Sequence, residues 1–495
     1  MNLYQKLKAH FSSRDLFALA LVLAGLILRF RQYLSGRSLW LDEAMLANNI
    51  LSRSFAGLTQ WLDYDQQAPI GFLWLQKIVT QIFGDSEYAL RLVPLLAGCA
   101  ALWLLYLLVR RLPALPGLMA LTLFAFSSPL IFYTSEAKQY ICDVLVALSL
   151  LTLFFHLSER DYQRRDYFLL AFGGAIAIWF SHPAIFMLAA LGIILFFQTL
   201  RQKPALVWTL LTGGLWLGSF ALFYIFFARR SVNADVLRVY WGDAFLPLTA
   251  RAAPWLASAF ENSFRDSAGL AIPFFVGALL ALIGFIGLLR RDKTLALILT
   301  LPIFFALLAS AFHAYPFAGR MLLFLTPAYF LLWGYGLETL ASFLRIPESF
   351  WVRGLLAACL IFFAARVSLP LFVAPKYQEH IRPTMEYLRD ARKDGDLIYV
   401  YFWAEPAFRF YAPKYGISPE GIFNGTDLHA TRDAYAAEFA SLRGHDRVWI
   451  LFSHVYERGG FNERDSLLNY LDSIGNLLRE YRVPGTSVYL YLYDL

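Results

Sequence analysis

Apolar runs long enough to cross a bilayer, about 17–25 residues each, recur eleven times along this chain of 495 residues. They lie near 16–34, 90–109, 115–133, 141–157, 167–181, 184–200, 207–228, 271–289, 294–312, 321–341 and 354–373. In hydrocarbon every backbone polar group must be satisfied within its own segment, so such runs fold as helices. Composition agrees: 59% of residues are hydrophobic and 16% charged, against about 45–50% and about 25% in soluble domains. An ordinary soluble globule, a low-complexity chain and a collagen-like repeat are thereby excluded. Cys99, Cys142 and Cys359 all sit inside apolar runs, which excludes a disulfide scaffold.

The average hides a break. Of the 79 charged residues, 31 fall within 376–495, about one residue in four there against about one in eight before it. Two domains follow: a membrane-embedded part over 1–373 and a soluble part over 374–495. Connections alternate in character. Lys6/Lys8/Arg14, Arg110/Arg111, Arg160/Arg164/Arg165, Arg201/Lys203, Arg290/Arg291/Lys293 and Arg345/Arg353 form one set. Asp42-Glu43, Glu136, Ser181-His182, the segment from Arg229 to Arg265, and His313 to Arg320 form the other. Basic loops stay in the cytoplasm, so the N-terminus is expected there and, after eleven spans, the C-terminal domain outside. The first run has no small-residue cleavage site after it and reads as an anchor. The net charge of +7 follows from this loop bias and calls for no nucleic-acid partner.

Residues 35–89 mix apolar and polar positions, which suits interfacial helices with Trp40, Trp61 and Trp74 at headgroup level. Trp241 and Trp255 suit another such element, equally readable as a membrane-anchoring loop. In the C-terminal part, helices are expected at Glu379–Ala391, Pro406–Tyr411 and Asp465–Ile474, and strands at 396–403, Val448–Phe452 and Thr486–Tyr493. Alternating helix and strand argues for a small α/β domain. The expected whole is a polytopic α-helical membrane protein with an extracytoplasmic α/β domain.

Charge costs about 2.5–3.5 kcal/mol at mid-helix in a membrane, so charged residues at span ends need a reason. Four clusters share one side of the expected topology. Ser38-Leu-Trp-Leu-Asp42-Glu43 follows the first span; the same carboxylates also suit a helix N-terminus. Asp63-Tyr-Asp65-Gln-Gln67-Ala-Pro69 and Glu87-Tyr-Ala-Leu-Arg91-Leu-Val-Pro94 come next. Pro69 also suits a helix start, and Arg91 a snorkelling side chain. Ser128-Pro through Tyr133-Thr-Ser-Glu136-Ala-Lys138-Gln-Tyr140 places two charges in a short outer turn, where a local salt bridge is the plain alternative. His313-Ala-Tyr315 through Arg320 and Pro327 heads a span with an arginine, either an interfacial anchor or a two-pronged phosphate grip. His182 suits a helix cap or, less well, a metal ligand.

In this order the motifs resemble the GT-C superfamily of membrane glycosyltransferases, in its protein O-mannosyltransferase and lipid A aminoarabinose transferase branch. The resemblance covers residues 16 to about 373. It implies a bacterial inner-membrane enzyme that takes a monosaccharide from a polyprenyl-phosphate donor at the outer face. The sugar passes to a hydroxyl of a glycan, lipid or protein acceptor with inversion. By that likeness Asp42 is the general base, supported by Glu43. Glu136, Lys138, Tyr140, Tyr315 and Arg320 hold the donor's sugar and phosphate, with Gln67, Arg91, Tyr133, His182 and His313 in support. Gln66-Gln67-Ala68-Pro69 replaces the acidic–basic pair that many relatives carry before two prolines, and Lys138 stands where arginine is more usual. No cofactor is certain; a divalent metal stays open, with His182 as its one named candidate.

Elementary chemistry points the same way. Displacing a lipid phosphate from a sugar needs a carboxylate to accept the proton and fixed cations to stabilise the leaving phosphate. The tethered lipid puts that bond at headgroup depth, and no glycine-rich phosphate loop marks a nucleotide pocket. A flippase for lipid-linked glycans is the alternative from another class, although its polar sites belong at the bilayer midplane. An O-antigen ligase or polymerase is the other alternative, kept by the arginines of 229–265.

Overall fold

A computed structural model describes residues 13–158, 163–229, 239–270, 272–345, 362, 365–366, 368–426, 432–458 and 460–495. Lys6, Lys8, Arg160, Arg353, Cys359 and most of the 354–373 run lie outside the described residues. The chain divides into two compact units.

The first unit comprises Met1–Leu34, Gln67–Val79 and Arg91–Pro375. Its apolar runs are helical: Ser13–Tyr33, Glu87–Val109, Ala114–Phe126, Tyr140–Ser158, Arg164–Phe180, Ala184–Thr199, Lys203–Phe223, Phe274–Arg291, Lys293–Ala311 and Thr326–Phe343. Among the described residues, six helices are long and apolar enough to cross a membrane, and Ile70–Phe83, Ala114–Phe126 and Ala184–Thr199 are shorter apolar helices.

Two expected spans are built differently from a single rod. The 115–133 run breaks at Ser127 into Ala114–Phe126 and Ser128–Tyr133. Pro129 cannot continue a helix through its own missing N–H but fits a first turn, so a new helix starts there. Ser127 Oγ accepts the Leu130 N–H at 3.4 Å. The freed carbonyls of the preceding helix go to a buried arginine: Arg29 donates to Phe124 O at 3.1 Å and Ala125 O at 3.2 Å. Arg14 likewise caps Glu87–Val109, donating to Val109 O and Leu112 O at 2.7 Å each. Cations at helix C-termini satisfy orphan carbonyls and the negative end of the dipole. The 321–341 run opens as a 3₁₀ turn, Gly319–Leu325, before Thr326–Phe343 starts with Pro327 in its first turn.

Phe274–Arg291 and Thr326–Phe343 approach to backbone contact through glycines. A Cβ on Gly284 would run into the Leu332 carbonyl, and one on Gly336 into that of Leu280. Small residues at crossings drive packing in lipid, where no hydrophobic effect joins helices.

The second unit comprises Ser35–Gln66, Thr80–Leu90 and Lys376–Leu495, so the first long connection folds together with the C-terminal part. Its sheet has the order β2-β1-β3-β7-β6, with β1 Leu397–Val400, β2 Ile422–Asn424, β3 Val448–Phe452, β6 Asn476–Arg482 and β7 Tyr489–Asp494. β1 runs parallel to β2 and β3, and β7 antiparallel to β3 and β6. A separate two-stranded ribbon pairs β4 Glu457–Arg458 with β5 Phe461–Asn462. The expected helices appear at Arg382–Ala391, Glu405–Tyr411 and Glu463–Asp472. β6 carries no strand signal in the sequence because it is a charged, exposed edge.

Candidate active site

In the second unit, the segment entering the helix Leu41–Ser52 is pinned residue by residue. Ser38 N–H donates to His380 Nδ1 at 3.3 Å and Leu39 N–H to the Tyr411 hydroxyl at 2.8 Å. Trp40 N–H donates to Glu43 Oε2 at 3.4 Å and Leu41 N–H to Glu379 Oε2 at 2.9 Å. Four successive backbone donors thus take side-chain acceptors, three of them from the C-terminal part. Helix-entry donors have no intrahelical partner, so each needs one. Tyr411 in turn donates to Glu87 Oε1 at 2.8 Å, which Arg382 also meets at 3.1 Å.

Asp42 follows this pinned run on the first turn of the helix, half-buried. Glu43 is fully buried and occupied otherwise: Arg37 Nη1 donates to its Oε2 at 2.7 Å. The two adjacent carboxylates therefore have different surroundings.

The first unit gathers most of the other expected residues. Glu136 and Lys138 lie in the tight turn between Ser128–Tyr133 and Tyr140–Ser158, where Lys138 N–H donates to Glu136 O at 2.7 Å. Both side chains are buried. Gln139 Nε2 donates to Gln67 O at 3.3 Å. Tyr140 meets Tyr133 edge-on with centroids 5.5 Å apart, and the Arg320 guanidinium stands 5.3 Å from the Tyr140 ring centre. Tyr315 donates to Met321 O at 2.7 Å and packs edge-on against Phe186. Burial, then neighbouring Asp143 and Tyr140, push the Tyr315 phenol well above its ordinary range, so it stays a donor. Arg91 is buried in the helix Glu87–Val109. The two histidines have ring partners of their own: His182 lies 5.4 Å from Phe223, and His313, with φ +55°, lies 4.9 Å from Phe245. Among the described residues no group of three or more His, Cys, Asp or Glu side chains could hold a metal ion.

Sequence reasoning missed Asp143, one helical turn beyond Tyr140 and buried. A lone carboxylate inside an apolar span was itself a signal. It also missed Arg37, Glu379, His380 and Tyr411. The last three stand more than 330 residues from the segment they hold, and no spacing rule reaches that far.

Residues 67–226 match the family described as dolichyl-phosphate-mannose-protein mannosyltransferase. No curated protein matches the chain. Among solved structures, ArnT from Cupriavidus metallidurans in the apo state is similar at 12% identity and a TM-score of 0.52, over 97% of this chain and 98% of that one. ArnT of the same organism bound to undecaprenyl phosphate is similar at 13% identity and a TM-score of 0.50, over 96% and 97%. A family match over residues 67–226 and a fold shared over nearly the whole chain agree with the resemblance read from the motifs: this is a multi-pass membrane protein with an ArnT-like fold.

Proposed function

We propose that the protein is an inverting glycosyltransferase moving a monosaccharide from a polyprenyl-phosphate donor to an acceptor hydroxyl in the cell envelope. Asp42 takes the hydroxyl proton as the acceptor oxygen bonds to the anomeric carbon. The bond from that carbon to the phosphate oxygen breaks, and the electron pair leaves on polyprenyl phosphate. Attack from the face opposite the leaving group inverts the centre. Arg320 and Lys138 stabilise the charge that grows on the phosphate, and fixed cations act there without reorganisation cost. Tyr140 supports Arg320 by its ring, and Glu136 and Tyr315 serve the sugar. Glu43, paired with Arg37, holds the helix start. The site works at the outer face of the bacterial inner membrane, with the N-terminus in the cytoplasm and the C-terminal domain outside.

The observation that carries the assignment of Asp42 is the pinned run Ser38–Leu41, because a general base acts only when held within hydrogen-bond reach of its proton. The testing experiment presents purified protein with a panel of polyprenyl-phosphate monosaccharides and measures released polyprenyl phosphate. Release that depends on an added acceptor supports the reading; no release from any donor overturns it.

A further inference from the structure

The first unit carries an open groove that the transfer chemistry does not use. Its volume is about 540 Å³, within the roughly 300–1,000 Å³ of ligand clefts. Leu153 lines it from the helix Tyr140–Ser158, and Arg165, Phe168, Leu169, Phe172 and Gly173 from Arg164–Phe180. Gly173 gives it depth: a Cβ there would meet Leu153 Cδ2 at 3.6 Å, an ordinary contact. Phe168, Leu169 and Phe172 are exposed. Another side of their helix is packed, Trp216 Nε1 donating to Leu170 O at 3.0 Å and Ala171 O at 3.1 Å. Arg165 stands at one end of the groove, and eight residues of helical rise put Gly173 about 12 Å further along. The Arg164 guanidinium lies 5.9 Å from the Trp208 ring centre, and Phe168 meets the same ring edge-on at 5.6 Å. Tryptophan and arginine gather at headgroup level, so the groove starts at the headgroups and descends into hydrocarbon.

Charge decides what fits. Trp208 lies beside residues 164 and 168, and Trp216 on Leu170 and Ala171. The helices Arg164–Phe180 and Lys203–Phe223 therefore run in the same direction and start at one end. The connections entering them hold Arg160, Arg164, Arg165, Arg201 and Lys203 against Glu159, Asp161 and Asp166; Glu159, Arg160 and Asp161 lie outside the described residues. Asp166 is buried, and its Oδ2 accepts the Gln163 N–H at 2.9 Å. Its Oδ1 stands 3.8 Å from Arg165 Nε, beyond a hydrogen bond, and the Arg165 side chain is 66% exposed. The positive ends of two helix dipoles add to the same field. An apolar groove with this end suits an anion that carries an apolar tail.

We infer that this groove binds an anionic glycerophospholipid, one acyl chain lying along Phe168, Leu169 and Phe172 and the phosphate at Arg165. Burial of the chain against these rings is favourable, and a guanidinium takes a phosphate in two-pronged fashion. Basic pockets between membrane helices hold anionic headgroups in this way. A zwitterionic lipid brings its own cation to the same arginine, so the site selects by net charge. The occupant is distinct from the glycosyl donor. Glu136 and Lys138 precede the start of Tyr140–Ser158, a helix of 19 residues and thus about 28 Å long, whereas Arg165 follows its far end. A phosphate at Arg165 is out of reach of that turn.

The test is native mass spectrometry of the full chain in detergent, titrated with palmitoyl-oleoyl phosphatidylglycerol or phosphatidylcholine, with thermal melting beside it. One phosphatidylglycerol should bind about tenfold more tightly than phosphatidylcholine and raise the melting temperature more. Arg165 is exposed, so Arg165→Gln should fold, and it should erase the preference. Gly173→Leu fills the groove, leaves every charge in place and should weaken both lipids about tenfold. Arg290→Gln, at the exposed basic end of Phe274–Arg291, should change neither. Equal binding of the two lipids to the wild type overturns the proposal. So does an unchanged preference in Arg165→Gln, or unchanged affinity in a folded Gly173→Leu. Displacement of phosphatidylglycerol by a lower concentration of undecaprenyl phosphate overturns it too, because the groove would then belong to an isoprenoid phosphate.

Discussion

Arg37 donates to Glu43 at 2.7 Å with the two side chains 1% and 0% exposed. Removing one partner of a buried pair strands the other charge, which costs about 3–5 kcal/mol, whereas replacing both by apolar groups of similar volume is often neutral. Arg37→Met should therefore lower the melting temperature sharply, and the double variant Arg37→Met, Glu43→Leu should recover most of the loss. A double variant as unstable as the single one would show that the pair is not the source of the penalty.

Asp42→Asn keeps the shape of the side chain and removes its basicity. General-base catalysis contributes about 10²–10⁴-fold, so release of polyprenyl phosphate in the acceptor-dependent assay should fall by that order while thermal melting stays put. Turnover like the wild type would take Asp42 out of the base role.

Much of this arrangement was legible in the chain, for identifiable reasons. Long apolar helices announce themselves by length, and strands buried on both faces, such as Val448–Phe452, by uninterrupted apolar sequence. Asp42, Glu136 and Arg320 stood out because charge at a span end is costly. The break at Ser127 was also written in Pro129, but an apolar run masks it. Illegible were the partners that fix Asp42's helix. A histidine, a glutamate and a tyrosine in a soluble domain are ordinary residues until folding sets them against Ser38–Leu41.

Arg320, standing over Tyr140, should matter to the donor more than Arg345, an exposed residue after the helix Thr326–Phe343. Arg320→Ala should raise the Kd for the polyprenyl-phosphate donor by about tenfold or more, since charged hydrogen bonds contribute about 1.5–3 kcal/mol. Arg320→Lys should recover little of it, because a point charge replaces a planar fork. Equal effects of Arg320→Ala and Arg345→Ala in a donor-binding assay would remove the phosphate role.

His380 makes the hold on Ser38 pH-dependent. Its Nδ1 accepts the Ser38 N–H and therefore belongs to the neutral ring. Burial, then the neighbouring Arg382, depresses its pKa, with Glu87 and Glu386 pulling weakly the other way. An unfolded histidine titrates near about 6.5. Between that value and the lower folded one the unfolded chain binds the proton more readily, so stability rises with pH across the window. The contribution is complete above about pH 6.5 and gone once the pH has passed below the folded value. Melting temperatures of the full chain should fall as the pH drops from about 7 towards 5, and His380→Gln, neutral and still an acceptor for Ser38, should flatten that fall. Parallel slopes in the two proteins would assign the titration to another group. A flattened slope would identify His380 as the point where acid loosens the segment leading into Asp42.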